Sequence, residues 1–189
     1  HRELAAIAAR RGLHVICQKP MAPPWEDSAG MVEDCEAAGV RLCIHENWRW
    51  QAWYREIRLI LDLGRVGRLF QLSFHWRTGA GAGPEPYTLQ PYFREMPRLL
   101  VHEALVHVLD TFRFLAGELR GVCCQIRRIN PVIRGEDQAV IQVSFASGAL
   151  GLIDANRITG PTLVPPAAGT LLIEGDRAAL RMDPEGRIW

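Results

Sequence analysis

Lys19 is the only lysine in 189 residues, and the other 21 of the 22 basic side chains are arginine. Arginine keeps its charge under ordinary conditions, whereas lysine can give up its proton where its surroundings disfavour the ammonium. Lys19 lies in Gln18-Lys19-Pro20, directly after the apolar run Leu13-His14-Val15-Ile16-Cys17. The carboxyl end of a buried strand is where open α/β sheets bind ligands. A lysine there is a candidate for proton transfer or for holding a substrate oxygen. The alternative reading is a solvated turn lysine before a proline.

A second group with chemical potential is Glu103, His107 and Asp110. Spacings of four and three residues put all three on one stripe of a helix. A carboxylate one turn from an imidazole orients it and raises its basicity. Such a histidine can exchange a proton with a substrate hydroxyl. An exposed polar stripe with i,i+4 pairing fits the same spacing, since Leu105, Val108, Leu109 and Phe112 form the opposite, apolar face. Glu46-Asn47-Trp48-Arg49 follows another short apolar run ending at Ile44. Its polar groups fit a cleft shared with the Lys19 loop, and Asn47 serves equally well as a helix cap. Tyr92, Arg94 and Arg98 precede the Glu103 helix. Arginines in such a loop suit a carboxylate or phosphate, and a solvated loop is the alternative.

Two motif-like strings fail on their spacing. Gly79-Ala80-Gly81-Ala82-Gly83-Pro84 lacks the last glycine of a dinucleotide fingerprint and runs into proline instead of a helix, so it reads as a flexible loop. His102 and His107 are five residues apart, not the four a zinc-protease helix needs, so no metal is expected.

The elements that carry these residues follow from periodicity. Leu4, Ile7 and Ala8 predict a helix over 2–10, and 13–17 reads as a buried strand. A helix capped by Asp27 or Ser28 ends at Gly39, and 40–44 is a second strand. Helix, strand, helix, strand implies parallel strands. An amphipathic helix over about 51–63 is expected to bridge two domains. Phe70, Leu72, Phe74 and Trp76 alternate with polar residues, as in a strand with one wet face. A helix over about 103–116 comes next, then strands at 121–129, 138–145, 149–155, 170–174 and 178–182, with tight turns at Ser147-Gly148 and Gly175-Asp176. The fold class is therefore α/β plus α+β: the C-terminal half of a Rossmann-type parallel sheet over 1–47, a bridging helix over 48–66, and an α+β domain with a mostly antiparallel sheet over 67–189.

Composition excludes some functions. A net charge of +1 gives no basic field for nucleic acid. No apolar run reaches the ~20 residues of a membrane span, so no membrane partner is expected. Cys17, Cys35, Cys43, Cys123 and Cys124 make an odd count without any C-x-x-C spacing. They read as reduced, buried thiols of a cytoplasmic protein. The chain opens on His1 in mid-helix pattern and stops at Trp189 just after a turn, so both ends are expected to be truncated.

Gln18-Lys19-Pro20-Met21-Ala22, Glu46-Asn47-Trp48-Arg49 and Glu103-x-x-x-His107-x-x-Asp110, in this order on these elements, resemble the Gfo/Idh/MocA family of NAD(P)-dependent oxidoreductases. The resemblance covers essentially the whole chain. It implies hydride transfer between NAD or NADP and a hydroxyl or carbonyl carbon of a sugar, polyol or related small molecule. It implies that Lys19 assists catalysis near the nicotinamide, that His107 is the general acid/base, and that Glu103 orients it. Gln18, Lys19, Pro20, Glu46, Asn47 and Trp48 would contact the cofactor; Arg49, Tyr92, Arg94, Arg98 and Asp110 would contact the substrate. The chain departs from the family pattern in three places: Gln18 stands for a glutamate, Glu103 for an aspartate, and Leu105-Val106 stand where a glycine is common before the histidine. The family's glycine-rich phosphate-binding unit would lie before His1, and with it the residues that choose NAD from NADP. The resemblance also implies a homo-oligomer formed through the antiparallel sheet. Two other activities occur on this fold: cofactor-binding regulators without turnover, and glycosidases that use NAD transiently.

Overall fold

The structure is a computed structural model that describes residues 1–159 and 169–189. The chain separates into two compact units, His1–Asn47 and Trp48–Trp189.

The first unit runs α1 (Arg2–Arg10), β1 (Val15–Gln18), α2 (Trp25–Ala37) and β2 (Leu42–His45). The two strands pair in parallel, with Gln18 opposite His45. Ala5, Cys17 and Met31 form a small core with Val15, Leu42 and Ile44 packed against it. Arg2 ties the helices together by ion pairs to Asp27 at 3.2 Å and Asp34 at 3.5 Å. α2 starts at Trp25 after Pro24, two residues before the expected cap. Proline fixes the φ that a helix entry needs, and Asp27 is turned instead towards Arg2. Within the described residues Cys17 is buried in β1 and Ile16 is 78% exposed. Side chains alternate across a strand, and α1 and α2 cover the Cys17 face.

The second unit opens with a 3₁₀ turn, Trp48–Trp50, and α3 (Ala52–Asp62). Its described residues then build a six-stranded sheet from β3 (Leu69–Arg77), β4 (Leu119–Arg127), β5 (Gln138–Phe145), β6 (Leu150–Asn156), β7 (Thr170–Gly175) and β8 (Ala179–Met182), in the order β4-β5-β6-β3-β7-β8. Every pair is antiparallel except β3 with β6. The sheet is mixed and mostly antiparallel, as the alternating patterns suggest.

The inner face carries Leu72, Phe74, Ile141, Val143, Ile153 and Ile173, all at most 1% exposed. α4 (Val106–Ala116) packs Val108, Phe112 and Leu115 onto it, and α3 adds Tyr54 and Ile57. Fully burying each such side chain is worth roughly 1.5–3 kcal/mol. The approach depends on Gly151, where a Cβ would fall 2.8 Å from Phe112 Cε2 and 2.5 Å from Val143 Cγ2.

α4 is not one uniform helix. Leu100–Leu105 form a π-helical segment before Val106. The wider turn is docked by a carboxylate from outside the helix: Glu136, 7% exposed, accepts from Leu99 N–H at 3.1 Å and Val101 N–H at 2.9 Å. Periodicity alone does not reveal a helix start set by a residue more than thirty positions away.

One further expectation is corrected, that of the buried thiols. The 79–91 segment carries a defined set of hydrogen bonds. Gly81 N–H donates to Arg157 O at 2.7 Å, Tyr87 N–H to Ala80 O at 2.9 Å, and the Asn130 amide to Gly81 O and Gly83 O at 2.7 and 2.8 Å. Its glycine is there for packing, because a Cβ on Gly81 would lie 2.6 Å from Tyr87 Oη. Of the five free cysteines only Cys17 and Cys35 are buried; Cys43, Cys123 and Cys124 are exposed. The last two lie on β4, an edge strand that the helices leave uncovered on both faces.

Asp137, fully buried, accepts from Ile129 N–H at 2.7 Å and Asn130 N–H at 2.8 Å. Asp137→Ala strands both donors and is expected to cost about 2–4 kcal/mol, read as a lower urea midpoint at unchanged slope. Asp137→Asn should lose less, since its amide oxygen still accepts. An alanine variant within about 0.5 kcal/mol of the parent would contradict this role.

Candidate functional site

In the first unit the parallel pairing brings two polar segments to one edge. Gln18 ends β1 and leads into Lys19-Pro20; His45 ends β2 and leads into Glu46-Asn47. The Lys19-Pro20 peptide bond is cis. Lys19, Pro20 and Glu46 are half-buried, while Gln18 and Asn47 are exposed. Amide, ammonium and carboxylate groups at the carboxyl ends of adjacent parallel strands suit a ligand rich in hydroxyl and amide groups. The five first-unit residues expected to contact a cofactor are therefore neighbours.

In the second unit His107 is the centre of the arrangement. It begins α4 just after the π-helical turn and is 8% exposed. Its ring lies flat on the Trp48 indole, with centroids 4.9 Å apart and planes within 7°. Trp48 is itself braced edge-on by Trp76 at 5.5 Å and stacked near Tyr54 at 6.5 Å. Burial and stacking fix the imidazole plane. The exposed-stripe alternative is thereby excluded for His107. Glu103 and Asp110 are also partly covered.

The two carboxylates of the stripe have arginine partners. Asp110 takes a bidentate pair from Arg49, with Nε at 2.6 Å from Oδ2 and Nη2 on Oδ1. Arg49 also lies over the Phe114 ring at 5.6 Å. This pair clamps the Trp48–Trp50 turn to α4, which is what holds Trp48 against His107. Both residues were expected to bind substrate separately; the structure joins them to each other. Glu103 accepts from Arg157 Nη2 at 2.7 Å.

The remaining expected substrate residues sit in the loop ahead of the π-helix. Pro91–Glu95 form a 3₁₀ turn. Tyr92 is 59% exposed and packs edge-on against Phe93 at 4.8 Å. Arg94 Nε donates to Pro86 O at 2.8 Å, so part of its guanidinium builds the loop. Arg98 is exposed. Trp48, expected among the cofactor contacts, belongs to the His107 group.

Sequence reasoning missed Arg157, Trp76 and Phe93. Arg157 follows β6 without any local motif, and its distance from Glu103 in the chain hides their pairing. Trp76 was legible as an inward strand residue, but its contact with Trp48 was not. Among the described residues no group of three or more His, Cys, Asp or Glu side chains forms a metal site, and no helix is long and apolar enough to cross a membrane.

Comparison with known proteins fits this geometry. Residues 1–46 match the family model described as an oxidoreductase family with NAD-binding Rossmann fold, and residues 54–181 match the GFO/IDH/MocA C-terminal domain. A D-apiose dehydrogenase of Rhizobium rhizogenes is 32% identical over 188 residues, spanning 100% of this chain and 53% of that protein. A D-apiose dehydrogenase of Paraburkholderia graminis is 35% identical over 185 residues, spanning 93% of this chain and 48% of that protein. The crystal structure of an oxidoreductase from Agrobacterium radiobacter, in complex with NAD+, L-tartaric acid and magnesium, superposes with a TM-score of 0.91 at 32% identity, over 100% of this chain and 54% of that one. The chain thus spans about half the length of the relatives it matches. With both of its units matched in order, the chain belongs to the Gfo/Idh/MocA family of oxidoreductases.

Proposed function

We propose that the protein carrying this chain is an NAD(P)-dependent dehydrogenase of a sugar, polyol or related small molecule. The observation that carries this reading is the imidazole of His107, buried and held flat on Trp48 at 4.9 Å, on a helix whose polar stripe also bears Glu103 and Asp110. A water-poor, oriented imidazole is suited to taking the proton of a substrate hydroxyl as the carbon loses hydride, and to returning it in the reverse direction. The two D-apiose dehydrogenases among its relatives support a hydroxyl-rich substrate.

The roles divide as follows. Gln18, Pro20, Glu46 and Asn47 hold the ribose and nicotinamide end of NAD or NADP, and Lys19 hydrogen-bonds the reacting oxygen. The nicotinamide supplies the hydride acceptor or donor. His107 exchanges the proton, and Glu103 sets its orientation. Trp48 is the wall that keeps the ring in plane. Arg49 and Asp110 hold that wall to α4. Tyr92 and Arg98, exposed on the loop, are the substrate contacts, and Arg94 shapes the loop they stand on. The free cysteines support a cytoplasmic location.

A second copy of the chain is the partner proposed for the outer sheet face. Cys123, Val140, Gln142, Leu150, Leu152 and Leu172 share that face, with Leu150 45% and Val140 40% exposed. An apolar row on one side of a mostly antiparallel sheet suits self-association.

Two experiments test these readings. In the native gene product, Lys19→Ala and His107→Ala are each expected to lower kcat by roughly 10²–10⁴-fold, with cofactor affinity nearly unchanged in a fluorescence titration. Wild-type turnover in both variants would sink the assignment. Leu150→Glu is expected to shift the sedimentation mass to that of the monomer. A native protein that is already monomeric, or a variant that keeps the native mass, would remove the sheet face as the interface.

A further inference from the structure

Arg157 has no part in the roles above, yet it is one of the few charged side chains buried in the second unit. Its side chain is 9% exposed. Nη2 donates to Glu103 Oε2 at 2.7 Å. The guanidinium also lies over two rings of the 79–95 segment, at 5.5 Å from the Tyr87 centroid and 5.2 Å from that of Phe93. Its backbone is used as well. Arg157 N–H donates to Asp137 O at 2.9 Å, and Arg157 O accepts from Gly81 N–H at 2.7 Å. One residue thus touches the end of β6, the π-helical turn and the loop.

The chemistry of arginine suits this post. The guanidinium is planar, permanently charged and weakly hydrated, so it stacks on aromatic faces while its edge donates to a carboxylate. Lysine has the charge without the plane. The loop also has a conformation that needs holding. Tyr87 adopts φ 58°, in the left-handed region that non-glycine residues rarely occupy. Such a residue persists where its surroundings over-determine it. Tyr87 is 6% exposed beneath Arg157, and its ring meets Phe93 edge-on at 5.6 Å. Phe93 in turn is the neighbour of Tyr92 and Arg94 in the 3₁₀ turn.

We propose that Arg157 is a positioning residue that fixes the Glu103 carboxylate and the 79–95 loop as one unit. The proposal rests on the dehydrogenase reading for its effect on turnover, because Glu103 orients His107 and the loop bears the substrate contacts. Through Glu103 it sets kcat; through Tyr87 and Phe93 it sets KM for the hydroxyl-rich substrate. A loop tied to the orienting carboxylate lets the shape of the substrate wall and the orientation of the imidazole change together, and not separately.

The test compares Arg157→Lys, Arg157→Met, Glu103→Gln and the Arg157→Met/Glu103→Gln double variant in the native gene product. Arg157→Met is expected to lower kcat on the order of 10–100-fold, as loss of an orienting partner does, and to raise KM. In the Glu103→Gln background the same change should lower kcat little further, since residues that act through one another are not additive, while KM should still rise. Arg157→Lys is expected to recover much of kcat but not KM. Hydrogen exchange of the Gly81 and Tyr87 amides gives a readout that needs no turnover: Arg157→Met should speed it and Glu103→Gln should leave it slow. Losses in kcat that multiply in the double variant, or wild-type kcat in Arg157→Met, would overturn the link to Glu103. Unchanged exchange in Arg157→Met would overturn the link to the loop. Should Arg157→Met not fold, Arg157→Lys decides: wild-type KM with unchanged exchange contradicts the proposal. A protein without turnover on any polyol would refute the dehydrogenase reading, while the exchange rates would still test the tie between Arg157 and the loop.

Discussion

The apolar stripe of α4 is seated on the inner face of the sheet. Val108, Phe112 and Leu115 share one core with Leu72, Phe74, Ile141 and Ile153, and the bare Gly151 leaves room for the Phe112 ring. That packing fixes the rotation of the helix. Once it is set, His107 lies off the sheet-facing stripe, where Trp48 can cover it, and Asp110 is presented to Arg49. The polar chemistry of the second unit is thus a consequence of how its core closes. The terms that compete here are unequal: several fully buried aliphatic and aromatic side chains each contribute about 1.5–3 kcal/mol, against about 0.5–1.5 kcal/mol net for an ordinary hydrogen bond. Core packing sets the frame, and the polar contacts select geometry within it.

Three buried charged residues then make the frame specific. Glu136 docks the π-helical turn, Asp137 caps the Ile129-Asn130 backbone, and Arg157 joins Glu103 to Tyr87 and Phe93. Each would be costly if it stood alone in a low-dielectric interior. Each is instead satisfied by backbone amides or by an opposite charge. Replacing such residues by apolar ones can be neutral for stability, so their use here is read as geometric. They converge on the segment that runs from the loop into the Glu103 turn.

Much of this was legible in the sequence, for reasons that can be named. The strand at 138–145 and the hairpin at Ser147-Gly148 follow from strict alternation and turn chemistry, and α1 from helical spacing ended by Gly12. The stripe of Glu103, His107 and Asp110 was visible because it is local. What was hidden is long-range or depends on the second face of an element. Cys123 and Cys124 look like strand interior, but β4 is an edge. The π-helical start depends on Glu136, the plane of His107 on Trp48, and the orientation of Glu103 on Arg157. No window of ten or fifteen residues contains both members of any of these pairs.

The proposed activity of the protein carrying this chain is hydride transfer between a nicotinamide and a hydroxyl-bearing carbon. The direct measurement follows deuterium in the native gene product, supplied with oxidised cofactor and with sugars or polyols deuterated at their hydroxyl-bearing carbons, D-apiose among them. Mass spectrometry of the reduced nicotinamide is predicted to show one deuterium gained per cofactor reduced, with a slower rate than for the protonated substrate. Cofactor that binds but is never reduced by any of these compounds, or a glycoside that is hydrolysed with no net reduction, would contradict the account.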